Sequence, residues 1–88
     1  MTLAYIRWKD ACSEEASDPT PRPVVPQLCE LEEVGFLLAE TEEVVTIGME
    51  HGKDDMKPGR WRLHIPKVCI VEMRTAAVET AFKRKRKV

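Results

Sequence analysis

Three cysteines, two histidines and a run of glutamates are the side chains of this 88-residue chain best suited to bond-making chemistry. Cys12, Cys29 and Cys69 with His51 and His64 would allow a zinc site or a thiol–imidazole nucleophile pair. Zinc ligands come in closely spaced pairs, and neither two cysteines nor two histidines stand at such spacing here. A catalytic thiol also needs exposure and a cationic neighbour, whereas Cys69 sits in the apolar run Val68–Cys69–Ile70 and reads as a small core hydrophobe. Cys12 and Cys29 flank a proline-rich stretch, nearer to solvent, and read as structural. His64 alternates with Arg60 and Arg62 on a polar face and reads as solvated.

Glu40, Glu42 and Glu43 cluster where a hairpin should turn, so they read as solvated turn residues rather than paired carboxylates for acid–base work. "GKDDMKPG" (52–59) lacks the alternating oxygen-ligand spacing of a calcium loop. No catalytic, cofactor-binding or metal residue is assigned, and the chain is not read as an enzyme.

The basic residues form the remaining constellation. Arg60 and Arg62, with Lys67 and Trp61 nearby, make a basic-aromatic patch. Lys83, Arg84, Lys85, Arg86 and Lys87 make a basic tail, giving a salt-dependent attraction for nucleic acid as one reading and a solvated terminus as the other. The tail carries +5 of a chain whose net charge is −1, leaving residues 1–82 at −6. Between residues 28 and 50 stand seven glutamates and no lysine or arginine, a field that opposes a nucleic-acid groove there. Alternation places Trp61 opposite Arg60 and Arg62, so it is expected in the core, with the arginines paired to the neighbouring strand through Glu50.

These side chains need a scaffold, and composition limits it. A chain this short buries only about 60–65% of its unfolded surface, so its core is thin and assembly is a natural remedy. With 43% hydrophobic and 33% charged residues it is a globular domain rather than a disordered one. No apolar run approaches the roughly 20 residues that cross a bilayer, and "MTLAYIRWKDACSEE" has no signal-peptide pattern. The odd cysteine count and the absence of C-x-x-C argue against a disulfide framework and for a reducing, cytoplasmic compartment.

The elements follow from periodicity. "TLAYIRW" (2–8) alternates, with Ala4, Ile6 and Trp8 on the apolar face. Residues 10–27 hold four of the six prolines and form a long loop, with room for a helical turn at 12–16 capped by Ser13. Residues 30–39 and 44–51 form a hairpin about a turn at 40–43. Gly35 and Gly48 mark sites where a bent strand gains from lacking a side chain. In "RWRLHIPKVCIVEMR" (60–74), Trp61, Leu63 and Ile65 point inward. Pro66 and Lys67 set a 3₁₀ corner, and Cys69, Val71 and Met73 alternate beyond it.

This order (strand, long loop, bent hairpin, strand, 3₁₀ link, strand) resembles the SH3-like and Sm-like small barrels. "IRWKDACS", "VGFLLAETEEVVTIG" and "IPKVCIVEMR" resemble small proteins encoded by bacteriophages and prophages, over residues 5–74. The resemblance implies a mainly β, five-stranded antiparallel barrel in a bacterial or phage-infected cell, with no functional residue to carry over. The expected layout is one domain over residues 1–76 and a basic tail over 77–88, a short helix or disordered. The expected role is a non-catalytic protein-interaction or self-assembly module without a cofactor or small-molecule substrate. The alternative is an Sm-like nucleic-acid binder using the tail with Arg60 and Arg62.

Overall fold

The computed structural model describes residues 1–13, 23–52 and 60–83. The middle of the proline-rich loop with most of its expected helical turn, the 53–59 loop and tail residues 84–88 lie outside the described residues.

Five strands account for most of the described chain: β1 (Thr2–Asp10), β2 (Cys29–Glu40), β3 (Val44–Glu50), β4 (Arg60–Pro66) and β5 (Ile70–Ala77). A 3₁₀ turn, Lys67–Cys69, joins β4 to β5, and a single helical turn, α1 (Val78–Ala81), follows β5. All neighbouring strands pair antiparallel, in the order β4-β3-β2-β1-β5.

The two edge strands are therefore consecutive in sequence, and that forces curvature. In a flat sheet, strands four spacings apart stand about 19 Å from one another. The step from Pro66 to Ile70 spans at most about 14 Å when fully extended, and less in a 3₁₀ turn. The sheet must curl at this end. The buried set agrees: Ala4, Ile6 and Trp8 of β1 form one cluster with Val45 and Ile47 of β3 and Ile65 of β4, although β1 and β3 are not neighbours. Leu37, Leu63, Cys69, Ile70 and Met73 pack around it, partly buried.

Gly35 lies where β2 and β3 approach closely. It is buried, and a β-carbon there would stand 2.9 Å from the Gly48 carbonyl oxygen and 3.3 Å from Ile47 Cβ. Any side chain would hold β2 and β3 apart. Two register shifts assist the bending, one in β2 between Leu37 and Ala39 and one in the β1–β5 pair between Arg7 and Trp8.

The sheet does not close. β4 and β5 remain edges, so the expected barrel is realised as a curled open sheet. The corner expected at Pro66 is present, with Pro66 at φ −63° leading into the 3₁₀ turn. It is fastened to the β2–β3 turn, where Lys67 N–H donates to the Glu43 carbonyl at 2.8 Å and Lys67 Nζ lies 2.7 Å from Glu40 Oε2. The Thr41 hydroxyl braces that turn by accepting from the amides of Glu43 and Val44.

Two expectations along "RWRLHIPKVCIVEMR" are corrected. Trp61 is 75% exposed rather than core. Its φ of 55° is in the left-handed region, so strand alternation does not extend through it. Beyond the corner, Ile70 and Met73 pack inward while Val71 is exposed, because the register shift opposite Arg7/Trp8 absorbs one residue of β5.

Candidate interaction surface

The outer face of β1 carries Tyr5 and Arg7, flanked by β2 and β5. Register sets Arg7 between Glu32 and Glu72, and Tyr5 between Val34 and Arg74. Arg7 reaches Glu30 at 3.2 Å and Glu72 at 3.6 Å, and Arg74 Nε meets Glu72 at 3.4 Å. The Tyr5 hydroxyl donates to Glu32 Oε2 at 2.8 Å, and the Arg74 guanidinium lies 5.1 Å from the Tyr5 ring centroid. Chiefly through that hydrogen bond, Glu32 holds the phenol above its ordinary value of 10.0, with desolvation and the negative charge of Glu32 acting in the same direction. Arg7 Nε is buried without a partner. The ion pairs are partly exposed, so each is worth at most a few tenths of a kcal/mol to about 1. The patch neutralises charge along three strands.

Two of the three thiols and both imidazoles have partners elsewhere. Cys12 and Cys29 form a disulfide, their Cα atoms 5.2 Å apart, which corrects the expectation of no disulfide framework. Pairing was invisible in the count because the leftover Cys69 makes the number odd; Cys69 is the free thiol, half-buried against the core. The argument for a reducing compartment rested on unpaired cysteines and falls with it. His64 Nδ1 lies 2.7 Å from the Thr46 hydroxyl, and the His51 ring tilts against Phe36 with centroids 6.1 Å apart. Among the described residues, no three His, Cys, Asp or Glu side chains are grouped to hold a metal ion. No helix among them is long and apolar enough to cross a membrane.

Of the expected basic residues, Arg60 and Arg62 stand at the start of β4, and Lys67 stands in the turn that follows its other end. Arg62 is exposed, in register with Gly48, and Arg60 is in register with Glu50. Successive pairings run Arg62–Gly48–Phe36–Leu3–Ala76 across all five strands, so Arg62 shares a row with the second-to-last residue of β5, shortly before α1. Lys83, just past α1, is exposed. Arg84, Lys85, Arg86 and Lys87 lie outside the described residues.

The Arg62 end of the sheet carries its largest exposed apolar side chains. Trp61 and Met49 are each 75% exposed and Val34 is 68% exposed. With Glu33, Ile47 and Leu63 they line a notch of about 120 Å³. Glu33 forms one wall, its Oε2 accepting the Trp8 indole N–H at 3.2 Å. Among the described residues no cation pairs with it. Sequence reasoning passed over Glu33 and Met49. A signal for Glu33 was present, since it shares strand parity with Leu31, Gly35 and Leu37 and is thus the charged residue on an otherwise inward-facing row.

Comparison with protein-family models, with curated proteins and with solved structures finds no match.

Proposed function

We propose that this chain is a non-catalytic self-assembly module of the SH3-like or Sm-like kind, of phage or prophage type, that associates head to tail through its sheet edges. One observation carries the reading: among the described residues the antiparallel sheet ends in two edge strands, β4 and β5, with no further strand beside them, around a core made fully buried by only a few side chains. Open edges hold rows of unmet backbone donors and acceptors, and proteins normally cover or pair them. Pairing β4 of one copy with β5 of the next satisfies both rows. Such a heterologous contact builds a ring where the rotation closes and a filament where it does not. Association also removes water from Trp61, Met49 and Val71, which the isolated chain leaves exposed.

Sedimentation or light scattering across a concentration series tests this, with a species larger than one chain as the expected result. A monomer at every concentration rejects it.

A second reading, nucleic-acid binding, is favoured by the row that brings Arg62 to the same end of the sheet as the base of the basic tail. Oligonucleotide binding that weakens steeply with salt supports it, and no binding at low salt removes it.

A further inference from the structure

The notch beside Trp61 is too small for a cofactor. Pockets for whole small molecules run to roughly 300–1,000 Å³, and this one holds about 120 Å³, the scale of one side chain. Its chemistry is also particular. Ile47, Leu63, Met49 and the Trp61 ring supply apolar walls, and Glu33 supplies a carboxylate with no cation beside it among the described residues. An apolar channel with an anion at one wall and an indole at its mouth suits an aliphatic stem ending in a cation, which is a lysine or arginine side chain. On the β2 and β3 side the strands carry glutamates and no lysine or arginine, whereas β4 contributes Arg60 and Arg62.

The backbone at Trp61 adds an independent sign. It is the only non-glycine residue with positive φ among the described residues, at 55°. Such a conformation is strained for a residue with a bulky side chain. Here it leaves the indole over the notch and in water rather than folded into the core.

The sequence contains one dense source of cations, Lys83, Arg84, Lys85, Arg86 and Lys87. Within one copy this tail leaves from the β5 edge, while Trp61 and Leu63 of the notch belong to the opposite edge, β4. Head-to-tail assembly changes that. Antiparallel pairing of β4 with a neighbour's β5 sets the C-terminal end of that β5 beside the N-terminal end of β4, where Trp61 stands. The neighbour's tail then starts next to the notch.

We propose that the Trp61 notch receives a lysine or arginine side chain from residues 83–87 of a second copy whose β5 pairs along β4. The inference rests on the head-to-tail reading and adds its specificity: the acidic notch selects the copy's own basic tail and fixes the direction of assembly.

Carbodiimide coupling on the full chain tests it, using an equimolar mixture of light and heavy nitrogen-labelled copies with native mass measured in parallel. The expected product joins Glu33 to Lys83, Lys85 or Lys87 in peptides of mixed label. In the same assay Glu33→Gln abolishes that product and weakens association by about tenfold, the scale of one ion pair of about 1.4 kcal/mol. A full-length chain with the five basic tail residues changed to glutamine shows the same weakening. Oligomers that form normally without a Glu33–tail product, or with products only to Glu40, Glu42 or Glu43, overturn the inference and leave the assembly reading standing. Products of unmixed label alone place the tail on its own copy and overturn it as well. A strictly monomeric chain removes both.

Discussion

The indole nitrogen of Trp8 donates to the carboxylate of Glu33 at 3.2 Å, joining the most bulky core side chain of β1 to the charged residue on the inward row of β2. Trp8 is 6% exposed, so its N–H has little access to water once that carboxylate is gone. Glu33→Ala should therefore cost about 1–2 kcal/mol by leaving a buried donor unpaired, whereas Glu33→Gln, which keeps an acceptor, should cost well under that. Urea unfolding of the two variants compares them directly. Equal losses would mean that the contact contributes through the carboxylate's charge and not through the hydrogen bond.

Gly35 makes a sharper prediction because its constraint is backbone against backbone. A methyl group at this position meets the Gly48 carbonyl at 2.9 Å, a contact that no rotamer change relieves. Gly35→Ala should destabilise by about 1–3 kcal/mol, and Gly35→Val by more, as β2 and β3 are pushed apart. In a domain of this size each kcal/mol lowers Tm by about 4–8 °C. A thermal melt of Gly35→Ala within a degree or two of the parent would show that the curl tolerates a side chain here.

How far the fold was legible depends on whether local chemistry decided each element. β1 was legible because one face is buried along its length, so Ala4, Ile6 and Trp8 had to alternate with polar residues. The corner at Pro66 was legible because proline fixes φ and removes a donor from the ladder. Trp61 was misread because parity assumes an unbroken strand, and a left-handed residue breaks it. Val71 was misread because a register shift depends on the partner strand, which alternation within β5 cannot report. The Cys12–Cys29 bond requires the start of β2 to return beside the end of β1, with Asp10 opposite Cys29, and no local signal encodes that return. The Trp61 notch draws on three strands and was hidden for the same reason.

The exposed position of Trp61 can be read by fluorescence, because the chain has two tryptophans in opposite environments. Trp8 is buried and Trp61 is 75% exposed. Under conditions where the chain is monomeric, Trp61→Phe should remove the red-shifted, acrylamide-quenched part of the emission and leave a blue-shifted, protected remainder. Stability should change by no more than about 0.5 kcal/mol, as for surface substitutions generally. A loss of several kcal/mol would return Trp61 to the core.

Tyr5 is the single tyrosine, so its titration is isolated in the ultraviolet spectrum. The hydrogen bond to Glu32, then desolvation and nearby negative charge, raise its pKa above 10.0. The native state thus holds the phenolic proton more tightly than the unfolded chain does. That contribution to stability is complete below the unfolded value and is lost as pH rises through the folded one. Glu32→Gln should shift the tyrosinate transition down towards 10.0. An unchanged transition would mean that the Tyr5–Glu32 bond does not persist in solution.

The disulfide gives a prediction that a reductant can test without mutation. Cys12 and Cys29 are separated by 17 residues, and their bond ties the proline-rich segment back to the ends of β1 and β2. Closing a loop of that length restricts the unfolded chain by about 3 kcal/mol in the chain-entropy account. Cys12→Ser should lower stability by an amount of that order, and reductant should do the same to the parent while leaving Cys12→Ser unchanged. The sheet should stay folded in this variant, because the core cluster of Ile6, Val45 and Ile65 includes none of the described residues 11–13 and 23–28. Free-thiol counting under denaturing, non-reducing conditions supplies the control, with one reactive thiol, Cys69, expected per chain. Three reactive thiols would show that Cys12 and Cys29 remain reduced, and the loss of stability assigned to the loop should then be absent.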